Sequence, residues 1–237
     1  MFTLSSVVPW GRSFDEYVRM FALTEADLAS RILGCGDGPA SFNVEATRRG
    51  ARVVSCDPLY QFAAAQIRQR IDETATEVLE QARRNAHEFV WDAAIPDIDT
   101  LKQVRMSAMA AFLDDFDTGR DDGRYVNDGL PALSFDDGAF DLAVCSHFLF
   151  LYSQQHDQAF HLASMRELCR VAREVRVFPL LALGAQPSLH VGPVTAALEA
   201  DGFDLSVERV PYEFQRGGNQ MLRVTGPARS GSRTARR

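Results

Sequence analysis

A glycine-rich turn between two short apolar runs constrains the fold of this chain more than any other feature. The first run, residues 31–33, leads into Gly34-Cys35-Gly36-Asp37-Gly38, and the second, Arg52–Cys56, ends in Asp57. A segment suited to a helix lies between them. This order predicts a strand, a turn, a helix and a second strand, which is the first half of a nucleotide-binding α/β sheet.

The spacing of the glycines bears on which nucleotide binds. A dinucleotide turn reads Gly-x-Gly-x-x-Gly, but its last position is Pro39 when counted from Gly34 and Ser41 when counted from Gly36. A P-loop ends in Gly-Lys-Ser/Thr, and no lysine lies near this turn. Asp57 follows at roughly 20 residues, where an acid at a strand end binds ribose hydroxyls. A nicotinamide enzyme is therefore a weaker hypothesis.

The turn resembles motif I of the class I S-adenosylmethionine-dependent methyltransferases, an acid-x-Gly-x-Gly-x-Gly pattern after the first strand. Gly34 stands here in place of the acid, and Ala40 in place of the last glycine. Residues 133–146 resemble the family's Leu-Pro-Phe-x-Asp-x-x-Phe-Asp-like run before strand four, with Ser134 in place of proline. The resemblance covers most of residues 30–225 and implies an α/β fold with a doubly wound, mostly parallel, Rossmann-like sheet of seven strands.

Length and periodicity predict one domain with an insertion. A chain of 237 residues, 46% of them apolar, is large enough for one α/β core, which we expect over residues 1–226. Apolar residues recur at helical spacing in two stretches of about residues 61–123, where the family has about one crossover helix. We expect a helical insertion after strand two, which serves as a lid over the site or as a structural cap. Residues 227–237 are basic and, apart from Pro227, have no apolar side chain larger than alanine, which predicts a disordered tail.

Composition excludes several classes of function. A formal net charge of −7 argues against nucleic-acid binding by the folded body. No apolar run approaches the roughly 20 residues of a membrane span, and the first ten residues do not match a signal peptide. The four cysteines lack C-x-x-C spacing, so we expect free thiols and no metal site. These features predict a cytoplasmic protein and leave its oligomeric state open. Residues 145–148 are not the Asn/Asp-Pro-Pro-Tyr run of methyltransferases that act on adenine or amide nitrogens, which indicates a small-molecule substrate by elimination.

The resemblance implies S-adenosylmethionine as cofactor and assigns residues to it. The amino-acid part of the cofactor would lie on the turn, and its ribose would bind the two carboxylate oxygens of Asp57. The adenine would contact Pro58 and, after strand three, Asp128 or its neighbour Gly129. The predicted cofactor residues are Gly34, Cys35, Gly36, Asp37, Gly38, Asp57, Pro58, Asp128, Gly129 and Ser146. The alternative role of Asp57 is that of a helix N-cap.

His147 is the candidate catalytic residue, because an imidazole that follows strand four can act as a base near neutral pH. A packed histidine that orients the loop is the alternative. Arg216, between the last two predicted strands, binds an anion or belongs to an ordinary hairpin. We therefore expect a methyltransferase with a small acceptor, and the alternative is a non-catalytic S-adenosylmethionine-binding protein with a degenerate methyltransferase fold.

Overall fold

The computed structural model describes residue 2 and residues 8–226, so the predicted tail at 227–237 lies outside the described residues. The described strands are β1 Arg31–Cys35, β2 Arg52–Cys56, β3 Tyr125–Val126, β4 Phe140–Ser146, β5 Ala172–Phe178, β6 Leu181–Ala182, β7 Gln186–Pro187, β8 Asp204–Arg209 and β9 Gln220–Thr225. The described α-helices are α1 Phe14–Met20, α2 Glu25–Leu28, α3 Phe42–Arg48, α4 Ala64–Arg84, α5 Ile98–Asp121, α6 Gln158–Val171 and α7 Val191–Ala200.

Seven of the described strands form the central sheet, in the order β3-β2-β1-β4-β5-β9-β8. Strands β1 to β5 are mutually parallel, and β9 runs antiparallel to both of its neighbours. The short strands β6 and β7 pair separately. This topology confirms the predicted doubly wound, mostly parallel sheet with a closing antiparallel pair, as in class I methyltransferases.

Alternate residues of the central strands face two separate helix layers. Ile32 and Val144 pack with the residues of α1 and α3, whereas Leu33 and Ala143 pack with those of α6 and α7. Strands buried on both faces read as continuous apolar runs, which is why β1 and β4 are visible in the sequence. The carboxyl ends of β1, β2 and β4 meet at one edge, where ligands bind in such sheets.

The connection from β2 to β3 contains the two helices that the recurring apolar residues predict. The helix α5 packs on α3 and β3 and so serves as the crossover helix, and Asp97 caps its first turn through the N–H of Thr100. The helix α4 packs against α5 and lies farther from the sheet. The inserted element is therefore α4 with the segment that follows it.

The ends of several helices follow from local features of the chain. The amphipathic stretch after Ser13 is two helices, because α1 ends at Met20 and Thr24 caps α2. The helix after the glycine-rich turn begins at Phe42, three residues beyond Pro39. In the described part of the chain, no helix has the length and apolar character that a membrane span requires.

Candidate functional site

The turn after β1 depends on backbone conformations that favour glycine. Gly36 and Gly38 have φ angles of 68° and 53°, in the left-handed region. The N–H of Gly36 donates to the carbonyl of Cys56 at the end of β2, at 2.9 Å. The turn thus lies on the carboxyl edge of the sheet, and both glycines line a cavity there.

Asp37 occupies the space where Gly34 has no side chain. A Cβ added to Gly34 would lie 1.8 Å from Oδ2 of Asp37. The hydroxyl of Tyr17 donates to Oδ1 of Asp37 at 2.8 Å, and that of Ser55 donates to Oδ2 at 2.6 Å. Burial raises the pKa of Asp37, and the negative charge of Asp57 raises it further. The two hydrogen bonds oppose this rise, and the resulting pKa is about 7. An acid is therefore present at this place although position 34 lacks one.

Asp57 joins the turn to the segment after β2. Its Oδ2 accepts the N–H of Gly38 at 2.9 Å, and its Oδ1 accepts that of Leu59 at 2.8 Å. Asp57 therefore caps the short 3-10 helix Pro58–Gln61, which is the alternative role given to it above. Burial raises its pKa, and the two hydrogen bonds oppose the rise. Each carboxylate oxygen keeps a further lone pair for a ligand, so capping does not exclude ribose binding.

Of the two candidate residues after β3, Gly129 lines the cavity and Asp128 does not. Pro58 also lines the cavity. Asp128 lies beside it and shapes the loop, because its Oδ1 accepts the N–H of Gly129 and its Oδ2 accepts the N–H and hydroxyl of Ser134. Gly34 likewise lies under the carboxylate of Asp37 rather than in the cavity wall. Eight of the ten predicted cofactor residues thus line the cavity: Cys35, Gly36, Asp37, Gly38, Asp57, Pro58, Gly129 and Ser146.

His147 lies in the cavity wall directly after β4. Its N–H donates to the carbonyl of Phe178 at 2.7 Å, and its Nδ1 shares a hydrogen bond of 2.9 Å with Oγ of Ser146. Burial lowers the pKa of His147 well below its ordinary value, and the charges of Arg12 and Arg105 lower it further. The imidazole is therefore neutral at physiological pH, with Nε2 left for a ligand.

A buried charge cluster lies near His147. Arg105 is fully buried, and its Nη1 donates to Oε2 of Glu16. The hydroxyl of Tyr212 donates to Oε1 of Glu16 at 2.8 Å, and the N–H of Ser13 donates to Oε2 at 3.0 Å. Sequence patterns gave no sign that Glu16 contacts Arg105 and Tyr212, because these three residues lie far apart in the chain.

The cavity has a volume of about 830 Å³, near the upper end of the roughly 300–1,000 Å³ that is usual for small-molecule sites. Polar and acidic groups lie at the glycine-rich turn, and aromatic and aliphatic side chains form most of the remaining wall. The apolar wall includes Trp10, Phe62, Ile67, Val78, Ala82, Phe89, Leu101, Phe148, Leu151, Phe160 and Phe214. The inserted helix α4 supplies three of these residues, so the insertion borders the site.

The segment after α4 and the loop between β8 and β9 are joined beside the cavity. The rings of Phe89 and Phe214 stack with their centroids 4.8 Å apart. The N–H of Arg216 donates to the carbonyl of Glu88, and its guanidinium donates to the carbonyls of His87 and Phe89. Arg216 therefore holds two protein segments together, and its binding of an anionic ligand stays a prediction.

Three of the cysteines lie side by side across neighbouring strands. Cys56, Cys35 and Cys145 are in register on β2, β1 and β4, and all three are buried. A hydrogen bond with Cys56, together with burial, raises the pKa of Cys35 well above its usual value, and burial raises that of Cys145 to about 12. Over residue 2 and residues 8–226, no group of three or more His, Cys, Asp and Glu side chains is placed to hold a metal ion.

Comparisons with solved structures find methyltransferases of low sequence identity. Magnesium protoporphyrin IX methyltransferase from Synechocystis PCC 6803 is 12% identical, with 90% of this chain and 77% of that chain covered and a TM-score of 0.47. A SAM-dependent methyltransferase from Aquifex aeolicus is 13% identical, with 89% and 87% covered and a TM-score of 0.41. The fold assignment itself rests on the order and directions of the strands.

Comparison with sequences gives one firm relationship. No model of a known protein family matches the chain. The uncharacterized protein MJ0045 of Methanocaldococcus jannaschii is 31% identical over 221 residues, which covers 92% of this chain and 96% of that protein. The chain therefore belongs to the same protein family as MJ0045, and it has the fold of the class I methyltransferases.

Proposed function

We propose that this protein is an S-adenosylmethionine-dependent methyltransferase that acts on a small molecule. The observation that carries the proposal is the arrangement of Asp37 and Asp57 around the glycine-rich turn, inside a cavity of about 830 Å³. That volume leaves room for an acceptor beside a nucleoside.

The residues of the turn fit this cofactor. Gly36 and Gly38 leave the backbone open to close approach by a ligand. Asp57 keeps lone pairs for two ribose hydroxyls, and Pro58 offers an apolar surface to the adenine. The carboxylate of Asp37 is placed to attract an ammonium group.

Bound S-adenosylmethionine supplies a methyl group on a positively charged sulfur; the acceptor's lone pair forms the new bond while the carbon–sulfur electron pair stays on sulfur. The protein contributes by holding the two reactants in line. His147 offers the acceptor a neutral hydrogen-bonding nitrogen. The charges of Arg12 and Arg105 disfavour protonation of this imidazole, and they favour an acceptor that is already deprotonated.

The same low pKa of His147 favours a second candidate function. A protein that binds S-adenosylmethionine without turning it over needs no base, and His147 is a poor one here. The absence of an acid at position 34 no longer supports that alternative, because the carboxylate of Asp37 lies in its place. Release of S-adenosylhomocysteine in the presence of an acceptor distinguishes the two functions.

Isothermal titration of the purified protein with S-adenosylmethionine, S-adenosylhomocysteine and NAD tests the proposal. We expect micromolar binding of the first two ligands and no binding of NAD, since the glycine spacing does not fit a dinucleotide. Failure of both S-adenosyl ligands to bind would contradict the proposal.

Replacement of Asp57 by asparagine should weaken S-adenosylhomocysteine binding about tenfold to a hundredfold, because hydrogen bonds to a charged group contribute about 1.5–3 kcal/mol. Titration calorimetry measures this loss. Asp136→Asn, at an exposed position in the turn before β4, is the matched control and should bind like the wild type. Equal affinity of a folded Asp57→Asn variant would remove Asp57 from the binding site.

A further inference from the structure

Arg12 lies in the cavity wall with a donor that the described chain does not satisfy. The N–H of Ser41 donates to its carbonyl at 3.0 Å, which fixes Arg12 close to the start of α3. Its Nη1 donates to the carbonyl of Trp10 at 2.7 Å, whereas its Nε is buried and has no hydrogen-bond partner among the described residues. A buried N–H without an acceptor is costly, so a ligand that accepts from it gains affinity.

Arg105 adds a second positive charge close to Arg12. It is fully buried, and its Nε and Nη2 also have no hydrogen-bond partner within the described residues. The carboxylate that faces both guanidinium groups belongs to Glu16, and its two oxygens already accept bonds from Arg105, Tyr212 and Ser13. Two positive charges thus share one negative charge, and the surplus is positive.

The neighbouring titratable groups leave this surplus uncompensated. Burial lowers the pKa of Arg12, and the charge of Arg105 lowers it further, which is the sign of two cations held close together. His147 is neutral, and Tyr152 and Tyr212 have raised pKa values and so stay protonated. The acids Asp37 and Asp57 lie at the glycine-rich turn, where they accept hydrogen bonds from protein donors.

The cavity that Arg12 lines also has aromatic and aliphatic side chains in its lining. These side chains include Trp10, Phe148, Leu151 and Phe160, and His147 lines the same cavity. Aromatic side chains of this kind bind rings by stacking and edge-to-face contact.

We propose that the acceptor is an apolar ring compound that carries a carboxylate or similar anionic oxygen group, and that Arg12 binds this group. This inference rests on the proposed function. The cofactor as a whole adds a further positive charge to the cavity, because its sulfonium and ammonium groups outnumber its carboxylate. An anionic acceptor offsets both the surplus charge at Arg12 and the positive charge on the cofactor's sulfur. A planar guanidinium is also the side chain best suited to hold a carboxylate by two parallel hydrogen bonds.

The test uses benzoate, 1-naphthoate and anthracene-9-carboxylate, each paired with its neutral carboxamide. The affinity of each probe is measured by titration calorimetry with S-adenosylhomocysteine present at saturation. We expect the wild type to bind the best-fitting carboxylate about tenfold or more tightly than its carboxamide. Arg12→Gln should remove this preference, Arg12→Lys should keep part of it, and Arg68→Gln, at an exposed position on α4, should keep all of it.

Three results would overturn the proposal. One is the absence of any carboxylate preference in the wild type, a measurement that does not depend on a variant's folding. Another is a preference that survives in Arg12→Gln. The third is a loss of affinity in Arg12→Gln for S-adenosylhomocysteine but not for 5′-methylthioadenosine, which lacks the amino acid. This result would identify the cofactor's carboxylate, and not an acidic acceptor, as the partner of Arg12.

Repeating the probe titrations without S-adenosylhomocysteine separates this inference from the proposed function. If the protein binds no S-adenosyl ligand but still prefers carboxylates through Arg12, the anion site stands and the methyltransferase assignment fails. A protein that binds S-adenosylhomocysteine but shows no carboxylate preference retains the assignment and loses the anion site.

Discussion

Replacement of Glu16 by glutamine should lower the free energy of unfolding by about 3–5 kcal/mol, because removing one member of a buried ion pair leaves the other charge without compensation. Glu16 is 1% exposed and Arg105 is fully buried. The glutamine side chain keeps the volume and one oxygen, so the loss reports the missing charge rather than a cavity. Urea denaturation of the two proteins at pH 7 measures the difference.

The matched control is an ion pair that water can reach. Arg166 Nε lies 2.8 Å from Asp201 Oδ2, but the two side chains are 51% and 35% exposed. Exposed pairs contribute about 0–1 kcal/mol, so Asp201→Asn should change stability by less than about 1 kcal/mol. Similar losses in the two variants would contradict the assignment of a special role to the buried pair.

The same pair predicts how the difference depends on pH. Burial alone raises the pKa of Glu16, but the charges of Arg105 and Arg12, with hydrogen bonds from Arg105 and Ser13, outweigh it and lower the pKa to about 2. A carboxyl with a lowered pKa contributes stability that is complete above its unfolded pKa of 4.5 and is lost as the pH falls towards 2. The gap between wild type and Glu16→Gln should therefore close between these two pH values, because the protonated acid resembles the amide.

The sheet was predictable from the sequence because its signals are local. The strands β1, β2 and β4 each contain a short apolar run, and the glycine-rich turn follows β1 directly. The caps that Thr24 and Asp97 form are local in the same sense, since an N-cap needs only the right side chain at one position. These features depend on neighbours in the chain, and the structure confirms them.

The charged parts of the site were not predictable, because they depend on residues that are distant in sequence. Arg12, Glu16, Arg105 and Tyr212 come together only when α1, α5 and the loop before β9 pack beside β4. The role of Asp37 was hidden for a related reason. A motif counts positions along the chain, whereas the carboxylate of Asp37 folds back over Gly34 and occupies the space of another position.

The placement of Asp37 leads to a prediction about cofactor binding. Affinity for S-adenosylhomocysteine should be highest above pH 7 and fall by up to about tenfold per pH unit below it, because the pKa of Asp37 in the free protein is about 7. The reason is that the carboxylate, and not the neutral acid, attracts the ligand's ammonium group. Titration calorimetry from pH 5.5 to pH 8 measures the slope.

Loss of folding does not account for such a slope. The folded pKa of Asp37 is raised above its ordinary value of 3.8, so between these two pH values the folded protein holds a proton that the unfolded chain has released. This group therefore stabilises the fold increasingly as the pH falls from 7 towards 4. Asp37→Asn separates the remaining possibilities, because the amide can still bond to Tyr17 and Ser55. We expect the variant to bind weakly at every pH and without the slope, whereas an unchanged slope would mean that another group, and not Asp37, receives the ligand's ammonium.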